Sequence, residues 1–167
     1  TPVPTTPPPT TPDSSPILVV VNDSAPYQFG RYLGEILLAE GISSYQMIPI
    51  GTLSAAFLTG RDLVILGQTP LSAAQAALIN NYYAAGGRVL AMRPDAQIAG
   101  LFGLGSAAGT LDRAYLRIVN SAVVNGQAPG QGLTGETIQY HGTATQYNTL
   151  AGAVTLAQLY SSATTAT

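Results

Sequence analysis

From Ile17 to Met92 short runs of apolar, β-branched residues alternate with longer stretches in which apolar positions recur at helical spacing. Ile17–Val21 is wholly apolar. A strand with no polar alternation is one buried on both faces, so this rhythm predicts a mostly parallel sheet covered by helices, an α/β fold. After Asn22-Asp23-Ser24-Ala25-Pro26, a cluster of turn formers, the residues Phe29, Tyr32, Leu33, Ile36 and Leu37 fall at i, i+3, i+4, i+7 and i+8. That spacing predicts a helix burying these five side chains, with Gln28, Arg31 and Glu35 toward water and Gly41 as its stop.

The alternation continues with a strand over 45–50, a short helix over 53–58 and a strand over 62–66 closed by Gly67. Ser72-Ala73-Ala74-Gln75 has the form of a capping box, in which the Ser oxygen accepts from one free N–H and the Gln side chain returns to the cap. The helix it opens runs to about Ala85. Gly86-Gly87 ends it, with a positive φ expected at one glycine or both. A fourth strand, 88–92, leads into Arg93-Pro94-Asp95, where Asp95 is placed to cap a short helix through Phe102.

Beyond Gly105 the chain becomes glycine-spaced and rich in Thr and Gln, with strands expected at 114–119, 136–140 and 153–160. Residues 126–135 hold four glycines and a proline and read as a loop. The domain plan is a linker or stalk over 1–16 and a single α/β domain over 17–167, made of a parallel α/β core over 17–105 and a β-rich extension over 106–167. Segment 153–160 is uncharged, so it is expected either to pair centrally or to accept a neighbouring copy by strand addition, unless its own loops cover that edge.

Composition narrows the chemistry. The 167 residues are 46% hydrophobic, enough for a core, and only 8% charged, with six Arg, no Lys and a net charge of −2. A phosphate backbone needs a basic stripe that this chain lacks, so nucleic acid is not an expected partner. With no cysteine there is no thiolate nucleophile, disulfide or thiolate zinc site. No apolar run reaches the length of a membrane span, and no charged-then-apolar leader opens the chain. The opening TPVPTTPPPTTPDSSP suits an extended, polyproline-like stalk of the kind that joins exported modules and accepts O-glycans, so the expected location is extracellular or the cell surface.

Candidate chemistry sits at the carboxyl ends of the strands, where open α/β sheets bind ligands. Asn22, Asp23 and Ser24 follow the first strand; Arg93 and Asp95 follow the fourth; His141 is the single histidine. Asn22, Asp23 and Ser24 are also ordinary turn and cap formers, and Arg93 and Asp95 also suit a helix cap with a local ion pair. Asn22-Asp23-Ser24 is in addition an N-glycosylation sequon. No G-x-G-x-x-G, Walker or G-x-S-x-G pattern is present, so no dinucleotide, triphosphate or other cofactor is expected, and no metal.

Residues 17–104 resemble the glutamine-amidotransferase-like superfamily. The resemblance rests on Ile17–Val21 with its polar loop, the helix ending Leu38-Ala39-Glu40-Gly41, Asp62-Leu63-Val64-Ile65-Leu66-Gly67 and Gly86-Gly87-Arg88-Val89-Leu90-Ala91-Met92-Arg93-Pro94-Asp95. It implies a flavodoxin-like three-layer sandwich, with more sheet beyond Thr167. Catalytic members carry a nucleophilic Cys at a sharp turn after a core strand and a His–Glu pair. Here Arg93-Pro94-Asp95 follows the fourth strand and no His-x-Glu surrounds His141, so the chain is similar to non-catalytic or uncharacterised extracellular bacterial members.

The expected function is therefore interaction, assembly or positioning within an exported multidomain protein. Neighbouring domains or copies of the chain are the expected partners, and carbohydrate is a further candidate. Two other classes are a carbohydrate- or amide-directed hydrolase built from Asp23, Asp95 and His141, and a small-ligand site formed by Asn22, Asp23, Ser24, Arg93 and Asp95. Convergence of those side chains in one cleft would separate them.

Overall fold

The computed structural model describes residues 11–25 and 29–167. Two compact units meet in sequence between Ile98 and Ala99. The first is the α/β part. Its strands β1 (Ile17–Val21), β2 (Tyr45–Pro49), β3 (Leu63–Leu66) and β4 (Arg88–Ala91) form one parallel sheet in the order β2-β1-β3-β4. The chain steps from β1 to β2 in one direction and then crosses back to β3, which is the flavodoxin-like arrangement.

Parallel register puts Ile17, Val19, Val21, Tyr45, Met47, Leu63, Ile65 and Leu90 on one face, and Leu18, Val20, Ile48, Val64 and Leu66 on the other. Helix α1 (Phe29–Ala39) covers the first face, with Leu33 and Leu37 against Val19, Val21 and Ile65. Because β3 to β4 runs in the opposite direction from β1 to β2, a right-handed crossover places α3 (Ala73–Ala84) on the second face. There Leu18, Val20, Ile48, Val64 and Ile79 are fully buried. A 3-10 turn, Ile50–Thr52, and the four-residue α2 (Ala55–Leu58) stand where one short helix is expected from sequence.

Both long helices end as the glycines predict. Gly86 adopts φ +94°, with Gly86 N–H donating to Tyr83 O and Gly87 N–H to Tyr82 O, and Gly41 repeats the motif at φ +81°. At the start of α3 the capping box is complete, Gln75 N–H donating to Ser72 Oγ and Ser72 N–H to Gln75 Oε1.

The buried side of α1 differs from the expected stripe. Gly30 and Gly34 face the sheet, Leu33 and Leu37 are half-buried, and Phe29, Tyr32 and Ile36 are each more than half exposed. Two glycines one turn apart let the helix backbone approach the strands, so the apolar periodicity is displaced around the axis. A Cβ at Gly30 would come within 2.9 Å of Val21 Cγ1. Gln28, expected to face water, lies outside the described residues, as does Pro26.

The second unit opens with a 3-10 turn, Ala99–Phe102, preceded by turns and not by the helix expected from Asp95. It then forms two antiparallel sheets. Strand β5 (Leu104–Asp112) pairs with β8 (Thr143–Thr149), while β6 (Tyr115–Ile118) lies between β7 (Thr137–Gln139) and β9 (Ala157–Tyr160). The segment expected as one strand over 153–160 is extended only from Ala157, and it is an edge strand, not a central one. Its outward side is met by the chain's own end: Thr167 N–H donates to Leu159 O at 3.1 Å and Tyr160 bridges Ala166.

Candidate functional site

The crevice at the carboxyl ends of β1 and β3 is the topological switch point of this sheet. On its β1 side the loop is held by its own side chains. Asn22 Oδ1 accepts from Ser24 N–H at 3.1 Å, an Asx turn, and Asp23 Oδ1 accepts from Arg31 Nε at 2.8 Å in a solvent-exposed ion pair. On the β3 side Gly67 donates its N–H to Val20 O, and a Cβ there would meet Gly30 Cα at 2.9 Å. The first described turn of α1 is thus seated on the strand ends, backbone against backbone.

Arg93 and Asp95 follow β4, two strand positions from β1 and so about 10 Å along the sheet. Arg93 sits at φ +48°, a left-handed conformation that turns the chain out of the strand. Asp95 is a structural anchor. Its Oδ1 accepts from Gln97 N–H at 2.9 Å and its Oδ2 from Leu71 N–H at 3.0 Å, while Gln97 Nε2 donates to Leu71 O. The N–H groups of Gln97 and Leu71 hold its carboxyl below the usual carboxylate range. His141 belongs to the second unit, exposed in the turn between β7 and β8. Among the described residues, no group of three or more His, Cys, Asp or Glu side chains is placed to hold a metal.

A carboxylate whose pKa is depressed in the fold stabilises it above its unfolded pKa, near 4, and that contribution is lost as pH falls through the folded value. Asp95→Asn is expected to lower stability by about 1 kcal/mol at neutral pH. The gap to the native protein should close below about pH 4, read as paired thermal unfolding midpoints across pH. A gap that persists at pH 2 would mean the carboxylate charge is not what Leu71 and Gln97 recognise.

The most elaborate polar site lies at the other end of the sheet, where sequence reasoning gave no signal. Arg61, just before β3, has a side chain 1% exposed. Its Nε donates to Phe57 O at 3.0 Å, its Nη1 to Asp13 Oδ1 at 2.9 Å and to Ser15 O, and its Nη2 to Gln46 Oε1. Gln46, itself buried on β2, donates from Nε2 to Thr11 O and accepts from Asp13 N–H. Burial pushes the Asp13 carboxyl up, but the Arg61 guanidinium and the Ser15 N–H outweigh it and the net shift is downward. The segment 11–16, expected as linker, is bound into the fold through these contacts, while residues 1–10 of that tract lie outside the described residues. The partners stand as many as 48 positions from Arg61 in sequence, beyond any local pattern.

Beside Arg61 a groove of about 530 Å³ runs between the carboxyl ends of α2 and α3, lined by Leu58, Asp62, Leu78, Asn81, Tyr82 and Arg88 among others. The Tyr82 ring rests on Gly87, where a Cβ would fall 2.3 Å from Cζ, and its hydroxyl donates to Arg61 O at 3.1 Å. Burial raises the Tyr82 pKa, so this hydroxyl stays protonated and serves as a donor that ties α3 to the Arg61 segment.

No family model and no curated protein matches the sequence. The fold does have a counterpart among solved structures: the 2.30 Å crystal structure of a protein described as ThuA-like from Bacteroides uniformis ATCC 8492 superposes with a TM-score of 0.65 at 11% identity, over 100% of this chain and 77% of that one. At that identity the likeness carries the fold alone, a parallel α/β core followed by a β-rich part, and no activity.

Proposed function

We propose that this chain is a non-catalytic positioning and interaction module of an exported multidomain protein, one that fixes where its Pro/Thr tract leaves the α/β unit. The Arg61 clasp is the observation that carries this reading. A mere linker has no need of a buried guanidinium, yet the best-enclosed charge among the described residues binds Asp13 and Ser15. Asp23 accepts from Arg31 of α1, and Asp95 from the N–H groups of Gln97 and Leu71, which favours structural roles over the hydrolase alternative. Extracellular location remains part of the proposal, supported by the composition of the tract alone.

Backbone 15N relaxation tests it. Residues 11–16 are expected to show order parameters like those of the sheet, near 0.85 on the usual scale, and to lose that order in Arg61→Met. Order parameters of a free tail in the native protein would remove the positioning role. Turnover of glutamine or an aryl ester that is abolished by Asp95→Ala or His141→Ala would overturn the non-catalytic reading.

A further inference from the structure

The groove beside Arg61 lies at the amino ends of β3 and β4, the opposite end of the sheet from the crevice at the switch point. Its wall is apolar where Leu58 is buried and Leu78 half-buried. At its rim Gly60 and Gly86 have open space where a Cβ would stand. Asp62, Asn81 and Arg88 also line it, and among the described residues their side chains have no hydrogen-bond or ion-pair partner. Leu63 pairs with Arg88 in the ladder, so Asp62 and Arg88 are diagonal neighbours that nonetheless do not pair with each other. Beyond the burial that raises the Tyr82 pKa and the Arg88 N–H that lowers it, the Asp62 charge raises it and the Arg88 charge lowers it. Both charges therefore act on the groove.

We propose that this groove binds a short peptide with free ends, its ammonium on Asp62 and its carboxylate on Arg88. This is a second site, beyond the positioning role. Opposite charges that line one groove without pairing leave it complementary to a ligand that carries both. Helix α3 ends at Ala84 beside the groove, and the partial negative charge of its last carbonyls favours the ammonium. The Asn81 amide can donate to and accept from a peptide group lying between the two ends, and Leu58 and Leu78 offer contact to an apolar side chain. The volume, about 530 Å³, falls within the roughly 300–1,000 Å³ of small-molecule sites. A neutral sugar, the rival ligand, would leave both charges without counter-ions. Asp62 and Arg88 are exposed, so each contact is a solvent-screened pair and binding is weak, in about the millimolar range.

Titration of the dipeptide alanyl-leucine into 15N-labelled protein tests this. Saturable shifts are expected at the amides of Gly60, Asp62, Asn81, Tyr82 and Arg88. N-acetylation or C-amidation of the dipeptide should each weaken binding about fivefold, the worth of one exposed ion pair. Asp62→Asn should bring the free dipeptide down to the affinity of its acetylated form while leaving amidation as damaging as before, and Arg88→Gln should do the reverse. The discrimination kept at the unaltered end shows that each variant is folded. No saturable shift, capped dipeptides that bind as well as the free one, variants that weaken all three forms alike, or shifts produced by cellobiose instead would each overturn the proposal. The order of residues 11–16 is measured without any ligand, so the positioning role and this site stand or fall separately.

Discussion

Arg61→Met is expected to destabilise the protein by about 3 kcal/mol, and Asp13→Asn by only about 1 kcal/mol, although the two residues form one ion pair. The asymmetry follows from burial. The Arg61 side chain is 1% exposed, and the Asp13 side chain 49%. When Met replaces Arg61, Phe57 O, Ser15 O and the Gln46 carbonyl lose their donor in a region where water has little access, and an unsatisfied buried acceptor costs about 1–3 kcal/mol. When Asn replaces Asp13 an acceptor oxygen remains, the guanidinium keeps its three neutral acceptors, and the lost charge was partly screened by solvent. Denaturant unfolding of both variants under one condition measures the difference. A larger loss in Asp13→Asn would mean that the tail acts chiefly as a counter-ion, and that the neutral acceptors contribute little.

This clasp also shows where sequence reading stops. The four parallel strands were legible because a run such as Ile17–Val21 has no polar position to leave in water, and the helix ends because Gly41 and Gly86 supply backbone conformations that other residues resist. Those signals are local. Arg61 instead draws its partners from 57, 46, 15 and 13, and nothing in the neighbourhood of a lone arginine before a strand distinguishes it from a solvated one. Asp95 was read as a helix cap, and it does hold Gln97 N–H two residues on, but it closes a turn and not the expected helix; its second bond, to Leu71, crosses between loops.

In the second unit, β5 was missed because Leu104–Asp112 is composed largely of Gly, Ala, Ser and Thr, whose side chains give no inward–outward alternation. Its pairing with β8 is irregular between Leu104 and Gly109, which further blurs any period. The candidate site was legible only in part for a different reason. Sequence places residues at strand ends, but strand order decides which ends adjoin, and in the order β2-β1-β3-β4 the loop after β1 neighbours the loop after β3 and not the one carrying Arg93 and Asp95.

The misread face of α1 leads to the other large expected effect: Gly67→Ala should cost about 2–3 kcal/mol, while Gly34→Ala should lie within about 1 kcal/mol of the native protein. Hydrophobic periodicity counts large side chains and gives glycine no weight, yet here the glycines set the distance between helix and sheet. A Cβ on Gly67 would stand 2.9 Å from Gly30 Cα and 3.3 Å from Gly30 N. Both are backbone atoms, so relief requires α1 to back away from the sheet, loosening Leu33 and Leu37 from Val19, Val21 and Ile65. Overpacking of that kind costs about 1–3 kcal/mol before the lost contacts are counted. A Cβ on Gly34 would meet Met47 Cε at the nominally worse distance of 2.5 Å, but that atom ends a flexible side chain that can swing aside. Replacing glycine by alanine inside a helix also recovers up to about 1 kcal/mol of backbone entropy, offsetting the repacking. Denaturation midpoints of the two variants decide the matter. If Gly67→Ala unfolds at the native midpoint, α1 does not rest on the end of β3; if Gly34→Ala is the more damaging change, the Tyr45 hydroxyl bond to Gly34 O, at 3.1 Å, is the rigid contact and Met47 has no room to move.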